Sequence, residues 1–190
     1  MSLKHYSTYS DEQLFEQFCR DKKNRNDIFT EIYNRYSARI YNYCVHLTGN
    51  IQDASDITQE TFIKFYQHTE FQTHSSLSGY LYKCARNQAF ALLRNKKEKT
   101  SLDDEEIEIE ENTFENKDLS ELINLAIEKL PFALKEIFIL RYIQGLNYNE
   151  ISAITMTNQA TLRTKVYRAL GKIQKLLEPH FKEIIKEKNR

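Results

Sequence analysis

Tryptophan is absent from these 190 residues, and only 4 glycines and 2 prolines occur. Together Gly and Pro make about 3% of the chain, against an average near 12%. Sandwiches and barrels draw on those residues for their many turns, so an all-β fold is excluded and an all-α fold is expected. Four glycines leave little material for a Gly-rich phosphate loop, and no nucleophile elbow is present. Cys19, Cys44 and Cys84 are an odd number, widely spaced, without a CxxC pair. That pattern points to reduced structural thiols in a cytoplasmic protein, and away from a disulfide framework or zinc site. The 5 histidines show no metal-ligand spacing on a shared helix face. No run of about 18 apolar residues exists, and the N-terminus, Met1-Ser2-Leu3-Lys4-His5-Tyr6, lacks the apolar centre of a signal peptide. On these grounds neither an enzyme active site nor a cofactor or metal is expected.

Net charge is missing too, with 27 Lys+Arg against 27 Asp+Glu. Taken whole, that balance argues against a nucleic-acid partner. By segment it does not. Residues 1–100 carry 14 basic and 11 acidic side chains, residues 101–121 carry 1 and 10, and residues 122–190 carry 12 and 6. Two basic modules joined by an acidic stretch fit these numbers better than one neutral surface.

What is present is helical periodicity. Ser10 with Gln13 is a capping box for a short helix to about residue 19. Residues 27–47 place Ile28, Ile32, Tyr36, Ile40, Tyr43 and Leu47 at helical spacing, then stop at Thr48-Gly49-Asn50. Helices are expected over 52–67 and 76–97, with a loop at 68–75. Residues 98–118 lose all periodicity and read as a flexible acidic linker. Beyond it, helices are expected over 119–129, 131–144, 147–155 and 158–177. Asn147 with Glu150 caps the third of these, and a further short helix is expected after Pro179. The domain reading is therefore 1–97, a linker at 98–118, and 119–190.

Three helices carry more than packing. On the 52–67 helix, steps of about 100° per residue put Ala54, Ile57, Thr61 and Phe65 on one side and Asp53, Asp56, Glu60 and Lys64 on another. The second face is either solvated or an acidic docking face for a basic partner. On the 76–97 helix, Leu77, Leu81, Cys84, Ala85, Gln88 and Leu92 form the inner stripe, and Lys83, Arg86, Asn87, Phe90, Arg94 and Lys97 lie roughly opposite. A ring among cations suits single-stranded nucleic acid, which offers phosphates and stackable bases; the alternative is that Phe90 packs on a neighbouring helix. The 158–177 helix opposes an apolar stripe (Leu162, Val166, Ala169, Leu170, Ile173, Leu176, Leu177) to Thr161, Thr164, Lys165, Arg168, Lys172 and Lys175. It follows a short helix and a tight turn, which is helix-turn-helix order.

These residues resemble a known family. Asp53-Ala-Ser-Asp-Ile-Thr-Gln-Glu-Thr-Phe62 looks like the DAEDLVQETF signature of bacterial sigma factors, and Tyr80-Leu-Tyr-Lys-Cys-Ala-Arg-Asn87 with Leu92-Leu-Arg94 resembles the WLYRIARN…LLR segment that follows it. Leu130-Pro131, Phe138-Ile-Leu-Arg-Tyr142, Gly145-Leu-Asn-Tyr-Asn-Glu-Ile151 and Thr161-Leu-Arg-Thr-Lys-Val-Tyr-Arg-Ala169 resemble the family's C-terminal module. Size and the two-module plan resemble the extracytoplasmic-function (ECF) group of the sigma-70 family.

The resemblance implies a transcription-initiation subunit that binds core RNA polymerase and promoter DNA and is commonly held by an anti-sigma factor. It implies core contacts by Asp53, Asp56, Gln59 and Glu60 on the clamp helices of the largest subunit, and by the C-terminal module on the flap of the second-largest. It assigns the melted −10 element to Phe71, His74, Ser75, Lys83, Arg86, Asn87, Phe90 and Arg94, with the 71–76 loop taking an extruded base. It assigns the −35 element to Asn158, Gln159, Thr161, Arg163, Thr164, Lys165, Arg168 and Lys172. The acidic linker either tracks a basic channel of the polymerase or is a solvated tether. Three departures stand out: Tyr80 for a usual Trp, and Met156 and Ala160 for usual glycines. A Cβ resists positive φ, so the turn is expected to be altered or shifted, one way being for Asn158 to take the left-handed conformation. Two other classes remain: a helix-turn-helix regulator of duplex DNA without a sigma role, and a polymerase-binding adaptor that does not bind DNA.

Overall fold

The computed structural model describes residues 6–67, 76–99 and 119–188. Among them there are helices and short connections and no strand, as the all-α reading expects. The chain divides into two compact units that change over between Glu98 and Lys99, with the short stretch Ala153–Met156 grouped with the first. The stretches at 68–75 and 100–118, where a loop and a linker are expected, lie outside the described residues.

In the first unit a 3-10 turn (Tyr6–Thr8) leads into α1 (Asp11–Arg20), which starts where the capping box says it must. The Gln13 N–H donates to Ser10 Oγ at 3.2 Å, and the Ser10 N–H donates back to Gln13 Oε1 at 2.8 Å. The long helix α2 (Arg25–Thr48) buries Ile28, Ile32, Tyr36, Ile40, Tyr43, Cys44 and Leu47 and ends at Gly49, whose φ of 66° suits a residue without Cβ. Helix α3 (Ile51–Gln67) packs along α2 and buries Ala54, Ile57, Thr58, Thr61, Phe62 and Phe65. Helix α4 (Leu77–Lys99) follows. Tyr82 is fully buried on it and meets Tyr43 edge to face at 5.4 Å, a core position missing from the expected inner stripe.

Rings fill the unit: Phe18 and Phe65 stack at 4.6 Å, and Phe29 meets Tyr66 at 5.1 Å. One arginine fastens the entry segment to α2. Arg35 donates to the carbonyls of Tyr6, Ser7 and Tyr9 at 3.1, 3.0 and 2.8 Å, to Asp11 Oδ1 at 3.1 Å and to Glu31 Oε1 at 2.7 Å. All five guanidinium N–H groups are thereby used.

The second unit contains α5 (Leu119–Glu128), α6 (Phe132–Phe138), α7 (Tyr148–Thr155) and α8 (Gln159–Lys188). The single helix expected over 131–144 is instead α6 running into a π turn, Ile139–Ile143. There the Gln144 N–H reaches Ile139 O at 2.9 Å, one residue wider than an α-helical bond. The core is aliphatic, with Ile137, Ile139, Leu140, Ile151 and Leu162 at 1% exposure or less. Lys135 is buried at 7% exposure and paired with Glu128 at 2.6 Å, which keeps its charge from being stranded.

Two expectations fail in this unit. Pro179 does not separate two helices: α8 runs through it to Lys188, so the proline withholds one N–H from the turn before it without ending the helix. Nor does the tight turn shift, because Met156 itself takes the left-handed conformation, φ 55°. Asn158 instead caps α8, its Oδ1 accepting the Thr161 N–H at 2.8 Å.

Candidate functional site

Helix α3 turns Asp56 and Gln59 to solvent and leaves Asp53 and Glu60 half-buried. The acidic groups are not bare. Asp53 holds Lys96 of α4 at 2.5 Å, Asp56 accepts the Gln52 amide at 3.1 Å, and Glu60 pairs with Lys64 at 3.3 Å. Gln59 lines a 790 Å³ groove between α2 and α3, with Tyr33, Phe62, Ile63 and Tyr66 among its walls. This groove is the part of the surface that charge patterning misses. Its signal was available, because Phe29, Tyr33, Ser37 and Tyr41 recur every fourth residue on α2, one position beyond the core stripe.

Helix α4 buries Leu77, Leu81, Tyr82, Ala85 and Ala89 and aims its basic stripe outward. Lys83, Asn87 and Arg94 are exposed, while Arg86 and Phe90 are half-buried. The Arg86 guanidinium lies 4.2 Å from the Phe90 ring centroid, so the ring carries a cation and keeps part of its face accessible. Gln88 is turned inward and donates to Thr61 Oγ1 at 2.9 Å. Ser76 Oγ accepts the Gly79 N–H at 3.1 Å and starts the helix. Phe71, His74 and Ser75 fall outside the described residues.

In the second unit, α7 begins at its capping box: the Asn147 N–H donates to Glu150 Oε2 at 2.7 Å, and the Glu150 N–H donates to Asn147 Oδ1 at 3.1 Å. Helix α8 buries Leu162, Val166, Ala169, Ile173 and Leu177, whereas Leu170, at the edge of that stripe, is 41% exposed. Its outward residues differ in freedom. Gln159 donates its amide to Asn149, Thr164 Oγ1 donates to Ala160 O at 3.0 Å, and Arg163 stacks on Tyr148. Thr161, Arg168 and Lys172 are exposed and Lys165 half-exposed.

The thiols are quiet. Burial pushes Cys44 up to about 12, and burial likewise raises Cys84 and Cys19 against neighbouring groups that lower them. Among the described residues no His, Cys, Asp or Glu cluster could hold a metal ion, and no helix is long and apolar enough to cross a membrane.

Comparison with known proteins agrees with this geometry. The family profile for sigma-70 region 2 matches residues 32–99, and that for sigma-70 region 4 matches residues 120–173. The ECF RNA polymerase sigma factor SigW of Bacillus subtilis is 30% identical over 172 residues, covering 82% of this chain and 92% of that protein. The RNA polymerase sigma-H factor of Pseudomonas aeruginosa is 28% identical over 189 residues, 91% of this chain and 96% of that one. Among solved structures, the sigma factor RpoE bound to the anti-sigma factor NepR from Bartonella quintana matches with TM-score 0.65 at 21% identity, over 79% of this chain and 96% of that one. CnrH in complex with the cytosolic domain of CnrY matches with TM-score 0.67 at 17% identity, over 89% and 97%. Two co-linear region matches and full-length relatives leave one assignment: the chain belongs to the ECF group of RNA polymerase sigma factors.

Proposed function

We propose that this sigma factor divides promoter recognition between its units: residues 1–97 dock on core polymerase and hold the melted −10 element, residues 98–118 link, and residues 119–190 read the −35 element. The observation that carries the reading is the outward stripe of α4. There Phe90, half-exposed beneath Arg86, sits among Lys83, Asn87 and Arg94. A solvated face gains nothing from a ring; unpaired bases gain a stacking partner and their phosphates gain cations. Phe71, His74 and Ser75 complete the −10 set.

Core docking is assigned to the α3 face with Asp53, Asp56, Gln59 and Glu60, extended into the aromatic groove that Gln59 borders. Its partner is the clamp-helix pair of the largest polymerase subunit, while the second unit meets the flap of the second-largest. The −35 contacts are assigned to Asn158, Gln159, Thr161, Arg163, Thr164, Lys165, Arg168 and Lys172. The Asn158 side chain is spent on capping, so Lys165, Arg168 and Lys172 carry the phosphate contacts. An anti-sigma factor is the inhibitory partner we assign, by analogy with the RpoE complex, and the site of action is the cytoplasm.

Transcription from core polymerase tests the whole reading. With added chain, core is expected to initiate at defined start sites, an outcome that neither a duplex-binding regulator nor an adaptor produces alone. Arg86→Ala with Phe90→Ala is expected to abolish open-complex formation, read by permanganate reactivity, while co-purification with core persists. Unchanged open-complex formation in this variant would remove α4 from the −10 role, whereas equal loss of both readouts points to misfolding.

A further inference from the structure

Tyr148 opens α7, and two guanidinium groups share its ring. Arg141 from the π turn and Arg163 from α8 each lie 5.0 Å from the ring centroid. That is inside the reach of about 6 Å at which an aromatic face attracts a cation. Arg141 is itself tied down, its Nη1 donating to the Leu146 carbonyl at 2.9 Å. Neither arginine has a carboxylate partner among the described residues, so the ring is what orients Arg163.

These contacts form one connected series. The loop carbonyl fixes Arg141, Arg141 supports the ring of Tyr148, and the ring supports Arg163. Arg163 is exposed in the second turn of α8, where an unsupported arginine samples many rotamers. Immobilising such a side chain is an ordinary cost of association, and a stacked guanidinium has already met most of it.

We propose that Tyr148 is a positioning residue for DNA recognition: its ring presets the Arg163 guanidinium before the duplex arrives. The proposal rests on the reading of α8 as the −35 helix. Tyr148 acts through Arg163 in this role, and the ring, not the hydroxyl, does the holding. Phenylalanine therefore substitutes and leucine does not.

The test uses the full chain assembled with core polymerase, on a promoter defined by mapping its start site. Binding is titrated for wild type, Tyr148→Phe, Tyr148→Leu, Arg163→Ala and the Tyr148→Leu/Arg163→Ala double variant. Arg163→Ala is expected to weaken binding roughly tenfold. Tyr148→Leu is expected to weaken it about three- to fivefold, and to add nothing once Arg163 is gone; Tyr148→Phe is expected to stay within about twofold of wild type. Equal loss from Tyr148→Leu in both backgrounds, or a Phe variant as weak as the Leu variant, overturns the proposal. Nitrogen relaxation at Arg163 Nε in the free wild-type chain gives a check that needs no variant. A restricted guanidinium is expected, and a freely mobile one overturns the proposal. If Arg163→Ala leaves binding unchanged while Lys165→Ala and Arg168→Ala weaken it, the proposal fails and the −35 reading of α8 stands; if all three leave it unchanged, the −35 reading fails and takes the proposal with it.

Discussion

Phe18, Phe29 and Phe65 meet ring to ring in the first unit, whereas the second closes over Ile139, Leu140, Ile151 and Leu162. The consequence reaches the surface. Large rigid rings do not end flush, and the outer members of the cluster, Tyr33 at 44% and Tyr66 at 38% exposure, become walls of the α2–α3 groove. In that unit the core and the assigned docking face are one continuous piece of packing. In the second unit the fully buried core is aliphatic, and the outward face of α8 carries threonines and cations that take no part in it. A surface continuous with its core cannot change without changing stability; a surface of side chains that take no part in the core can. The two units therefore differ in how tightly a change at the surface is tied to folding.

Core truncation tests this contrast hardest. Phe65→Ala is expected to cost about 3–5 kcal/mol, and Leu162→Ala about 2–5 kcal/mol, each loss confined to amides of its own unit in hydrogen exchange. Equal loss of protection in both units would dissolve the comparison. Arg35→Lys comes next, at about 2 kcal/mol, because an ammonium cannot reproduce five forked bonds; urea unfolding of the first unit is the readout.

Alkali offers a smaller and selective effect. Burial, aided by hydrogen bonding to Asp11, raises Tyr36, and burial raises Cys44 to about 12. A group whose folded value is raised contributes its full stability below its unfolded value and loses it as pH climbs through the folded one. The first unit is therefore expected to weaken between pH 9 and about 12, ahead of the second unit, where no cysteine occurs. Simultaneous alkaline loss in both units, followed by exchange or circular dichroism, would contradict this. The smallest effect is a gain. Met156→Gly relieves the positive φ at a side chain 79% exposed and is expected to stabilise the turn between α7 and α8 by up to about 1 kcal/mol, read by thermal melting.

Local rules were the legible ones. Ser10 with Gln13 and Asn147 with Glu150 specify helix starts because both partners lie within one turn, and the stripes of α2 and α3 are set by period alone. Features that join distant residues were not legible. The Lys96–Asp53 bond spans 43 positions and takes an assigned docking carboxylate partly out of play. The groove needs two helices to exist, and spacing records only its α2 wall, Phe29, Tyr33, Ser37 and Tyr41. The π turn also escaped, since its single extra residue leaves hydrophobic spacing almost unchanged. At Met156 the cost of positive φ is legible but the residue that bears it is not: Met156 takes the left-handed conformation, and Asn158 caps α8.

The Arg35 fastening bears on how this protein can vary. Three of its five bonds go to main-chain oxygens, which every residue type possesses. Ser7 is exposed, so its side chain can drift in sequence while the joint persists, specified by Arg35 and Glu31 on α2 and by Asp11 at the start of α1. Related chains can therefore share this attachment without sharing any recognisable pattern in the segment it attaches.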